Sequence, residues 1–146
     1  MSSMPASGPQ AAPRKRRILL VDDDVVITRS LARALHALSS AFEIETATSG
    51  AEALNALSDA RFDAVITDLQ MPGLSGTDWV ARLRGEHPEL LCLVHSSQLE
   101  SFGEDEVRRL AHACFAKPTS PQALIAALEH LWALRGELTH LGLRSA

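Results

Sequence analysis

The chain has 146 residues, of which 46% are hydrophobic and 22% are charged. This composition is typical of one water-soluble globular domain and excludes a disordered or fibrous chain. No apolar run approaches the roughly 20 residues that a membrane-spanning helix needs, so we expect no association with a membrane. The N-terminus carries no secretory signal, and we therefore expect a cytoplasmic protein.

Charge is unevenly distributed along the chain. The formal net charge is −4, and a basic run at positions 14–17 precedes every acidic residue. Without that run, 10 Lys and Arg face 18 Asp and Glu, a balance of −8. Such an acidic balance argues against nucleic acid as a direct ligand of the folded part.

The first part of the chain contains a tail followed by the first of several strands. Residues 1–15 are rich in Ser, Pro, Ala and Gly and have no apolar period, so we predict a disordered tail. Five short apolar runs follow, and each is predicted to form a buried strand. In chain order these are Ile18–Val21, Phe42–Thr46, Ala64–Thr67, Leu90–Val94 and Cys114–Ala116.

Five helices are predicted between and after these strands, because apolar residues recur there at helical spacing. Their stripes are, in chain order, Val26, Ser30, Leu31, Ala34, Leu35 and Leu38; Ala53, Leu54 and Leu57; Trp79, Val80 and Leu83; Val107, Leu110 and Ala111; and Leu124, Ala127, Leu128 and Leu131. Ser49 and Glu52 form a capping box, and Ser120 offers an N-cap before Pro121. The last helix is predicted to end near Gly136. Residues 16–136 then form one domain, and residues 137–146 form a short C-terminal tail.

Strand and helix alternate five times. Crossovers of this length imply parallel strands with helices on both faces, so the predicted fold is a doubly wound α/β domain with a five-stranded parallel sheet. In such a sheet, ligands bind beyond the carboxyl ends of the strands. The residues that follow each strand are therefore the candidate site.

Those strand ends gather acidic residues, a hydroxyl and one ammonium group. Asp22-Asp23-Asp24 follows the first strand, Asp68 the third, Ser96 the fourth and Lys117 the fifth. Carboxylates this close raise each other's pKa or require a cation, and an oxygen-only ligand set suits Mg²⁺. An aspartate can also act as a nucleophile toward phosphorus, with a metal and a lysine neutralising the charge.

Four segments resemble the signatures of response-regulator receiver domains, in the same order and on successive strand ends. They are Ile18-Leu-Leu-Val-Asp-Asp-Asp24, Val65-Ile-Thr-Asp-Leu-Gln-Met-Pro-Gly-Leu-Ser-Gly76, the strand ending in Ser96, and Phe115-Ala-Lys-Pro118. The resemblance extends from residue 18 to about residue 135. It implies a flavodoxin-like fold with the sheet order 2-1-3-4-5.

The resemblance also implies roles for the residues at the strand ends. Asp68 is the expected phosphoacceptor, Ser96 the switch hydroxyl and Lys117 the partner of the phosphoryl oxygens. The expected cofactor is Mg²⁺. Its expected ligands are the carboxylates of Asp22, Asp23 and Asp68 and the main-chain carbonyl of Gln70.

Further residues are expected to shape or tune this site. The bond before Pro118 is expected to be cis, and Gly73 and Gly76 are expected to permit the turns of the loop after Asp68. Gln70 and Gln98, each two residues after a key position, are expected to modulate the lifetime of the phosphoryl group. Asp24 is expected to cap a helix rather than to bind metal.

Cys114 departs from the family pattern, and two further residues, Cys92 and His95, are assigned structural roles. Cys114 occupies the position three residues before the lysine where the family usually has an aromatic ring. This departure puts in doubt the coupling between that ring and the switch hydroxyl. Cys92 and Cys114 have no metal-binding spacing and are expected to be buried, reduced thiols. His95 is expected to be a strand-end residue with a satisfied ring.

The resemblance thus implies a two-component receiver that accepts a phosphoryl group from a histidine kinase or phosphotransfer protein. It is expected to act on a downstream protein or as a homodimer, through the face formed by the fourth helix, fifth strand and fifth helix. We expect no turnover of a separate substrate. The alternative is a pseudo-receiver, a protein-binding module that works without phosphorylation. An aspartyl-phosphatase lacks support because Gln70 stands where that class has a second acid. A dinucleotide-binding enzyme also lacks support, because no GxGxxG motif follows the first strand.

Overall fold

The computed structural model describes residues 15–145 except Ser75. The side chains of Phe102 and of residues 137–145 lie outside this description. The predicted N-terminal tail, residues 1–15, falls outside the described residues except for Lys15. Its predicted disorder therefore stays a prediction.

Five strands and five α-helices alternate along the described chain. The strands are β1 (Arg16–Val21), β2 (Phe42–Ala47), β3 (Ala64–Thr67), β4 (Leu91–Ser96) and β5 (Ala113–Ala116). The helices are α1 (Val25–Leu38), α2 (Gly50–Asp59), α3 (Gly76–Glu86), α4 (Glu104–Leu110) and α5 (Pro121–Ser145). A 3₁₀ turn (Leu99–Phe102) joins β4 to α4.

The strands form one parallel sheet in the order β2-β1-β3-β4-β5. This order confirms the predicted 2-1-3-4-5 arrangement and the flavodoxin-like fold. Val21, the last residue of β1, pairs with Thr67, the last residue of β3. Asp22 and Asp68 therefore leave the sheet side by side.

The core has two layers, one on each face of the sheet. Leu19 and Val21 of β1 belong to the layer that includes residues of α2, α3 and α4. Ile18 and Leu20 belong to the layer that includes residues of α1 and α5. This alternation arises because successive side chains of a strand point to opposite faces. It explains why β3 and β4, which are covered on both faces, are apolar almost throughout. The edge strand β2 is not the buried strand that was predicted, because Glu43, Glu45 and Thr46 are exposed.

The helix starts follow the predicted capping chemistry. At α2, the Glu52 amide donates to Ser49 Oγ at 3.1 Å, and Glu52 Oε1 accepts from the Thr48 amide at 2.8 Å. At α5, Ser120 Oγ accepts from the Ala123 amide at 3.1 Å, with Pro121 as the first helical residue. These caps satisfy main-chain amides that have no partner within the helix.

The buried face of α1 differs from the predicted stripe. Val26 is 75% exposed and Leu38 is 45% exposed, whereas Thr28 and Leu35 are buried. Residues two positions apart in a helix are rotated by about 200° around its axis. Val26 therefore lies on nearly the opposite side of α1 from Thr28. Thr28 tolerates burial because its hydroxyl donates to the main-chain carbonyl of Asp24 at 2.6 Å. The buried face of α1 thus includes a polar residue, which the spacing of apolar residues could not predict.

The last helix also differs from its prediction. It does not end near Gly136 but continues as α5 to Ser145. The predicted tail, residues 137–146, is therefore helical as far as Ser145. One glycine inside a helix costs about 1 kcal/mol relative to alanine and does not terminate it, and no proline follows. None of the helices in the described part of the chain combines the length and apolarity that crossing a membrane requires.

Candidate functional site

Three carboxylates converge at the carboxyl edge of the sheet. Oxygens of Asp22, Asp23 and Asp68 all lie within 4.8 Å of one another. Asp22 and Asp68 are buried, and Asp23 is exposed. Like charges this close need a cation, and three carboxylate oxygens suit a hard divalent ion such as Mg²⁺. The structure thus brings together the three acidic side chains that the sequence assigned to the metal.

The two oxygens of Asp68 have different partners. Oδ1 accepts from the main-chain amides of Leu69, at 2.7 Å, and Gln70, at 3.2 Å. Oδ2 accepts from Lys117 Nζ at 3.1 Å. The carboxylate is therefore oriented from both sides, by the chain that follows it and by the fifth strand's lysine.

Lys117 connects the two buried acids. Its Nζ lies 2.5 Å from Asp22 Oδ2 and 3.1 Å from Asp68 Oδ2. Burial alone lowers the pKa of this lysine, but the hydrogen bond to Asp22 and the charges of both acids outweigh it and raise the pKa above its usual value. The ammonium therefore stays charged at neutral pH. The peptide bond from Lys117 to Pro118 is cis, as predicted.

Asp24 has a different role from the three acids of the cluster. Its side chain accepts from the Ile27 amide at 3.1 Å and so caps α1, which confirms the prediction. The Asp24 amide in turn donates to Asp22 Oδ1 at 3.0 Å. The start of α1 thereby helps to hold the first acid of the site.

The loop after Asp68 turns at the predicted glycines. Gly73 has φ +85° and Gly76 has φ +68°, a left-handed conformation that side chains with a Cβ rarely adopt. The Gly76 amide donates to the carbonyl of Leu69 at 2.7 Å, which closes the loop. Met71 is buried, as expected for a residue that fills the loop rather than binding metal.

Ser96 ends β4 and is fully buried. Its Oγ accepts from the Gln98 amide at 3.0 Å. Ala116, which precedes Lys117, pairs with Ser96 across the sheet. The predicted switch hydroxyl thus belongs to the same sheet edge as the acids, and Gln98 is tied to it through the main chain.

Residues 18–129 match the family model described as the response regulator receiver domain. The chain belongs to this family. It therefore carries a receiver domain of two-component signalling.

Named relatives of this receiver domain include longer proteins. Transcriptional regulatory protein PrrA of Mycobacterium tuberculosis is 37% identical over 123 residues, which cover 82% of this chain and 51% of PrrA. Response regulator MprA of the same species is 40% identical over 78 residues, which cover 53% of this chain and 33% of MprA. The chain thus spans about half the length of PrrA, and its match covers about a third of the length of MprA.

Solved structures of receivers superpose on most of the chain. Chemotaxis response regulator CheY4 of Vibrio cholerae matches with a TM-score of 0.69 and 28% identity, over 80% of this chain and 98% of that chain. Response regulator protein TrrA of Thermotoga maritima, solved in complex with Mg(2+)-BeF, matches with a TM-score of 0.70 and 28% identity, over the same fractions.

His95 of this receiver contradicts one expectation. The ring is buried, yet its Nε2 has no hydrogen-bond partner, so the expected satisfied ring is wrong. Burial, and next the charge of Lys117, lower the pKa of His95 and keep the ring neutral, although Asp22 and Asp68 act in the opposite direction. The sequence placed His95 at the end of a strand but carried no information about the partner of its ring.

A groove beside the receiver's acidic site was not predicted from the sequence. It has a volume of about 490 Å³ and runs between the first turns of α1 and the start of α5. Its lining includes Val26, Ile27, His95, Lys117, Pro118 and Pro121. The sequence signal was the apolar run of Val25, Val26 and Ile27 directly after three aspartates, but the apolar character of Val26 was assigned to the core.

The predicted output face of the receiver includes Cys114 in β5, and Cys92 lies in the neighbouring strand β4. Cys114 is only half-buried in β5, so its expected burial is wrong, whereas Cys92 is buried in β4 as expected, and both thiols are free. Burial raises the pKa of the Cys92 thiol to about 12, so this sulfur is inert at neutral pH. Phe102 lies in the 3₁₀ turn, and the position of its side chain lies outside the description.

Proposed function

We propose that this receiver accepts a phosphoryl group on Asp68 from a histidine kinase or phosphotransfer protein in a Mg²⁺-dependent reaction. One observation carries the proposal: the Asp68 carboxylate lies 3.1 Å from Lys117 Nζ and within 4.8 Å of Asp22 and Asp23 oxygens. A buried carboxylate between a fixed cation and a potential divalent site has the surroundings that phosphoryl transfer requires.

The residues present fit a magnesium ion. Asp23 and Asp68 would hold it directly, with the main-chain carbonyl of Gln70 as the third protein ligand, and Asp22 would act on it through water. When bound, Mg²⁺ supplies positive charge that neutralises the phosphoryl oxygens. The TrrA structure with Mg(2+)-BeF supports this cofactor by analogy, because that receiver shares the fold and 28% of its sequence with this one.

The transfer forms one bond and breaks another. An oxygen of the Asp68 carboxylate forms the new bond to phosphorus, and the donor's bond to phosphorus breaks, with the electron pair leaving on the donor. The product is an acyl phosphate on Asp68. Lys117 remains charged throughout and pairs with the phosphoryl oxygens as charge is redistributed. The reaction modifies the receiver itself, and no separate substrate is turned over.

Output follows from the new charge at the sheet edge. The phosphoryl oxygens attract the Ser96 hydroxyl, whose Oγ now accepts from the Gln98 amide at 3.0 Å. Movement of Ser96 would then be passed to the 3₁₀ turn and to α4. We propose that the face formed by α4, β5 and α5 changes and binds a downstream protein or a second copy of the chain.

The experiment is incubation with Mg²⁺ and acetyl phosphate, a small phosphodonor, followed by intact mass measurement. The parent protein should gain the mass of one phosphoryl group. Asp68→Asn keeps the side-chain size but removes the nucleophile, so this matched control should gain none. A parent without an adduct would favour the phosphorylation-independent binding module. Equal adducts on both proteins would move the acceptor to another residue.

A further inference from the structure

A chain of buried hydrogen bonds lies behind the acceptor. Trp79 of α3 is fully buried, and its indole Nε1 donates to Thr67 Oγ1 at 2.8 Å. Thr67, also fully buried, is the last residue of β3 and immediately precedes Asp68. Its Oγ1 donates to the main-chain carbonyl of Asp68 at 2.8 Å. We call these three linked groups the Trp79 relay.

The direction of the relay is fixed by chemistry. An indole N–H can only donate, so Thr67 Oγ1 must accept the hydrogen bond from Trp79. The hydroxyl hydrogen of Thr67 is then available for the Asp68 carbonyl, which can only accept. A threonine hydroxyl without the indole donor could rotate. With the donor in place, both of its hydrogen bonds are satisfied in one orientation.

The relay continues to the acceptor carboxylate. The carbonyl of Asp68 and the amide of Leu69 belong to the same planar peptide unit. That amide donates to Asp68 Oδ1 at 2.7 Å, the shorter of the two amide contacts to this oxygen. Fixing the carbonyl therefore fixes the donor that holds Oδ1. Hydrogen bonds linked in this way also polarise and strengthen one another in a low-dielectric interior.

We propose that Trp79 and Thr67 are positioning residues that orient the Asp68 carboxylate for phosphorylation. This inference rests on the proposed function of Asp68. The relay holds Oδ1 against the main chain, which leaves Oδ2 toward Lys117 at 3.1 Å. A carboxylate free to rotate would spend part of its time with neither oxygen in the reactive orientation, and small misplacements slow group transfer strongly.

Four variants separate positioning from simple packing. Thr67→Val removes the hydroxyl at constant shape, and Thr67→Ser keeps the hydroxyl. Trp79→Phe removes the indole N–H but also leaves a cavity, so it should be the least stable variant. Trp132→Phe is the matched control, because this tryptophan packs against Phe42 and Arg16 at the start of the strands, at the opposite edge of the sheet from Asp68.

The measurement is the rate of adduct formation with acetyl phosphate at saturating Mg²⁺, followed by intact mass, beside the urea midpoint of each variant. Thr67→Val should react about tenfold more slowly than the parent. Thr67→Ser should retain most of the rate, and Trp132→Phe all of it. Trp79→Phe should be less stable than Thr67→Val. Its reaction rate should nevertheless fall by less than that of Thr67→Val, because Thr67 still donates to the Asp68 carbonyl.

The outcomes distinguish the two proposals. A parent that gains no phosphoryl mass would overturn the proposed function and this assignment with it. A parent that reacts while Thr67→Val reacts equally fast would overturn the assignment alone. Rates that simply follow the urea midpoints, with Trp79→Phe slowest, would likewise reduce the relay to packing.

Discussion

The Nζ atom of Lys117 donates a hydrogen bond of 2.5 Å to Oδ2 of Asp22. The lysine that faces the acceptor is therefore also bound to the acid that follows β1. Both groups are largely buried, so the ammonium neutralises the acidic cluster from within, whereas Asp23 is exposed to solvent. This contact makes the stability of the receiver depend on charge balance at its site.

Replacing Lys117 by Gln leaves Asp22 and Asp68 without this cation. We expect the free energy of unfolding in EDTA to fall by about 2 kcal/mol, since breaking a buried pair strands its charges. Saturating Mg²⁺ should restore more stability to this variant than it adds to the parent. Urea titrations with and without the metal measure both effects. Arg82→Gln, which breaks the exposed pair with Glu86, is the control and should cost no more than about 0.5 kcal/mol; equal losses in the two variants would contradict the prediction.

Asp23 and Asp24 are adjacent, exposed acids with different predicted roles. Asp23→Asn removes a charged metal ligand and should weaken Mg²⁺ binding by about tenfold or more. Asp24→Asn removes the same charge but retains a good helix cap, so its Mg²⁺ affinity should change by no more than about threefold. Metal titration of the two variants and the parent provides the comparison. Matching affinities for Asp23→Asn and the parent would remove Asp23 from the ligand set.

The sheet edge could be predicted because parallel strands place their ends together. Asp22 and Asp68 follow strands that pair at Val21 and Thr67, so the order of the strands was enough to bring these two acids side by side. The identity of each strand end was visible in the sequence. No distance between side chains was needed for this step.

Other contacts could not be predicted because they depend on rotamers and on packing between elements. The hydrogen bond from Trp79 to Thr67 joins a helix to a strand across 12 residues. Hydrophobic spacing assigned Trp79 to the core, correctly, but gave no partner for its N–H. In the same way, the pattern of α1 could not show that Thr28 would be buried and Val26 exposed. Thr28 is tolerated in the core because its hydroxyl found a main-chain partner, and Trp79 because its indole N–H found the hydroxyl of Thr67.

His112 connects the start of β4 to the chain that leads into β5. Its Nδ1 accepts from the Cys92 amide at 3.0 Å, and its own amide donates to the Cys92 carbonyl at 2.9 Å. Burial, followed by the charges of Arg84 and Arg135, lowers the pKa of His112 from 6.5 to about 4. Protonation at Nδ1 would replace the acceptor with a donor and break the first of these bonds.

We therefore expect this bond to stabilise the receiver fully above about pH 6.5 and to be lost as the pH falls toward about 4. In the unfolded chain the ring binds its proton at the higher pH, so acid favours unfolding. The difference in unfolding free energy between the parent and His112→Gln should shrink by about 1–2 kcal/mol from pH 7 to pH 4, allowing for partial exposure. His130→Gln, at an exposed site on α5, should keep the acid dependence of the parent. A constant difference for His112→Gln would disprove the assignment.

Gln70 and Gln98 are exposed. The main-chain amide of Gln70 donates to Asp68 Oδ1, and that of Gln98 donates to Ser96 Oγ. Their side chains can orient a water molecule but are weak bases, so we expect modest self-dephosphorylation. Replacing both by Ala should change the half-life of the phosphorylated protein and leave Mg²⁺ affinity nearly unchanged, because the main-chain contacts remain. Decay of the intact-mass adduct after removal of acetyl phosphate measures the half-life. An unchanged half-life would refute the role.

The route of the signal is the last prediction, and it concerns the segment between Ser96 and α4. In this segment Leu99 is buried, and Ser101 Oγ donates to Gln98 Oε1 at 3.1 Å, so the 3₁₀ turn is anchored at its start. Gly103, with φ +78°, follows the turn and begins α4 without a side-chain cap. Because Cys114 cannot act as a rotating aromatic ring, we expect this turn, with Phe102 at its end, to carry the change.

Beryllofluoride, a phosphoryl mimic, should draw Ser96 toward Asp68 and break its contact with the Gln98 amide. The available energy is a few charge-assisted hydrogen bonds of about 1.5–3 kcal/mol each, enough to shift a two-state turn but not to refold the domain. Amide hydrogen exchange with and without beryllofluoride should therefore change across residues 97–106. Ser96→Ala should abolish that change while retaining the one near Asp68, because only the link between the two is lost. Changes confined to residues 68–76 in the parent would instead favour a signal that leaves through the loop after the acceptor.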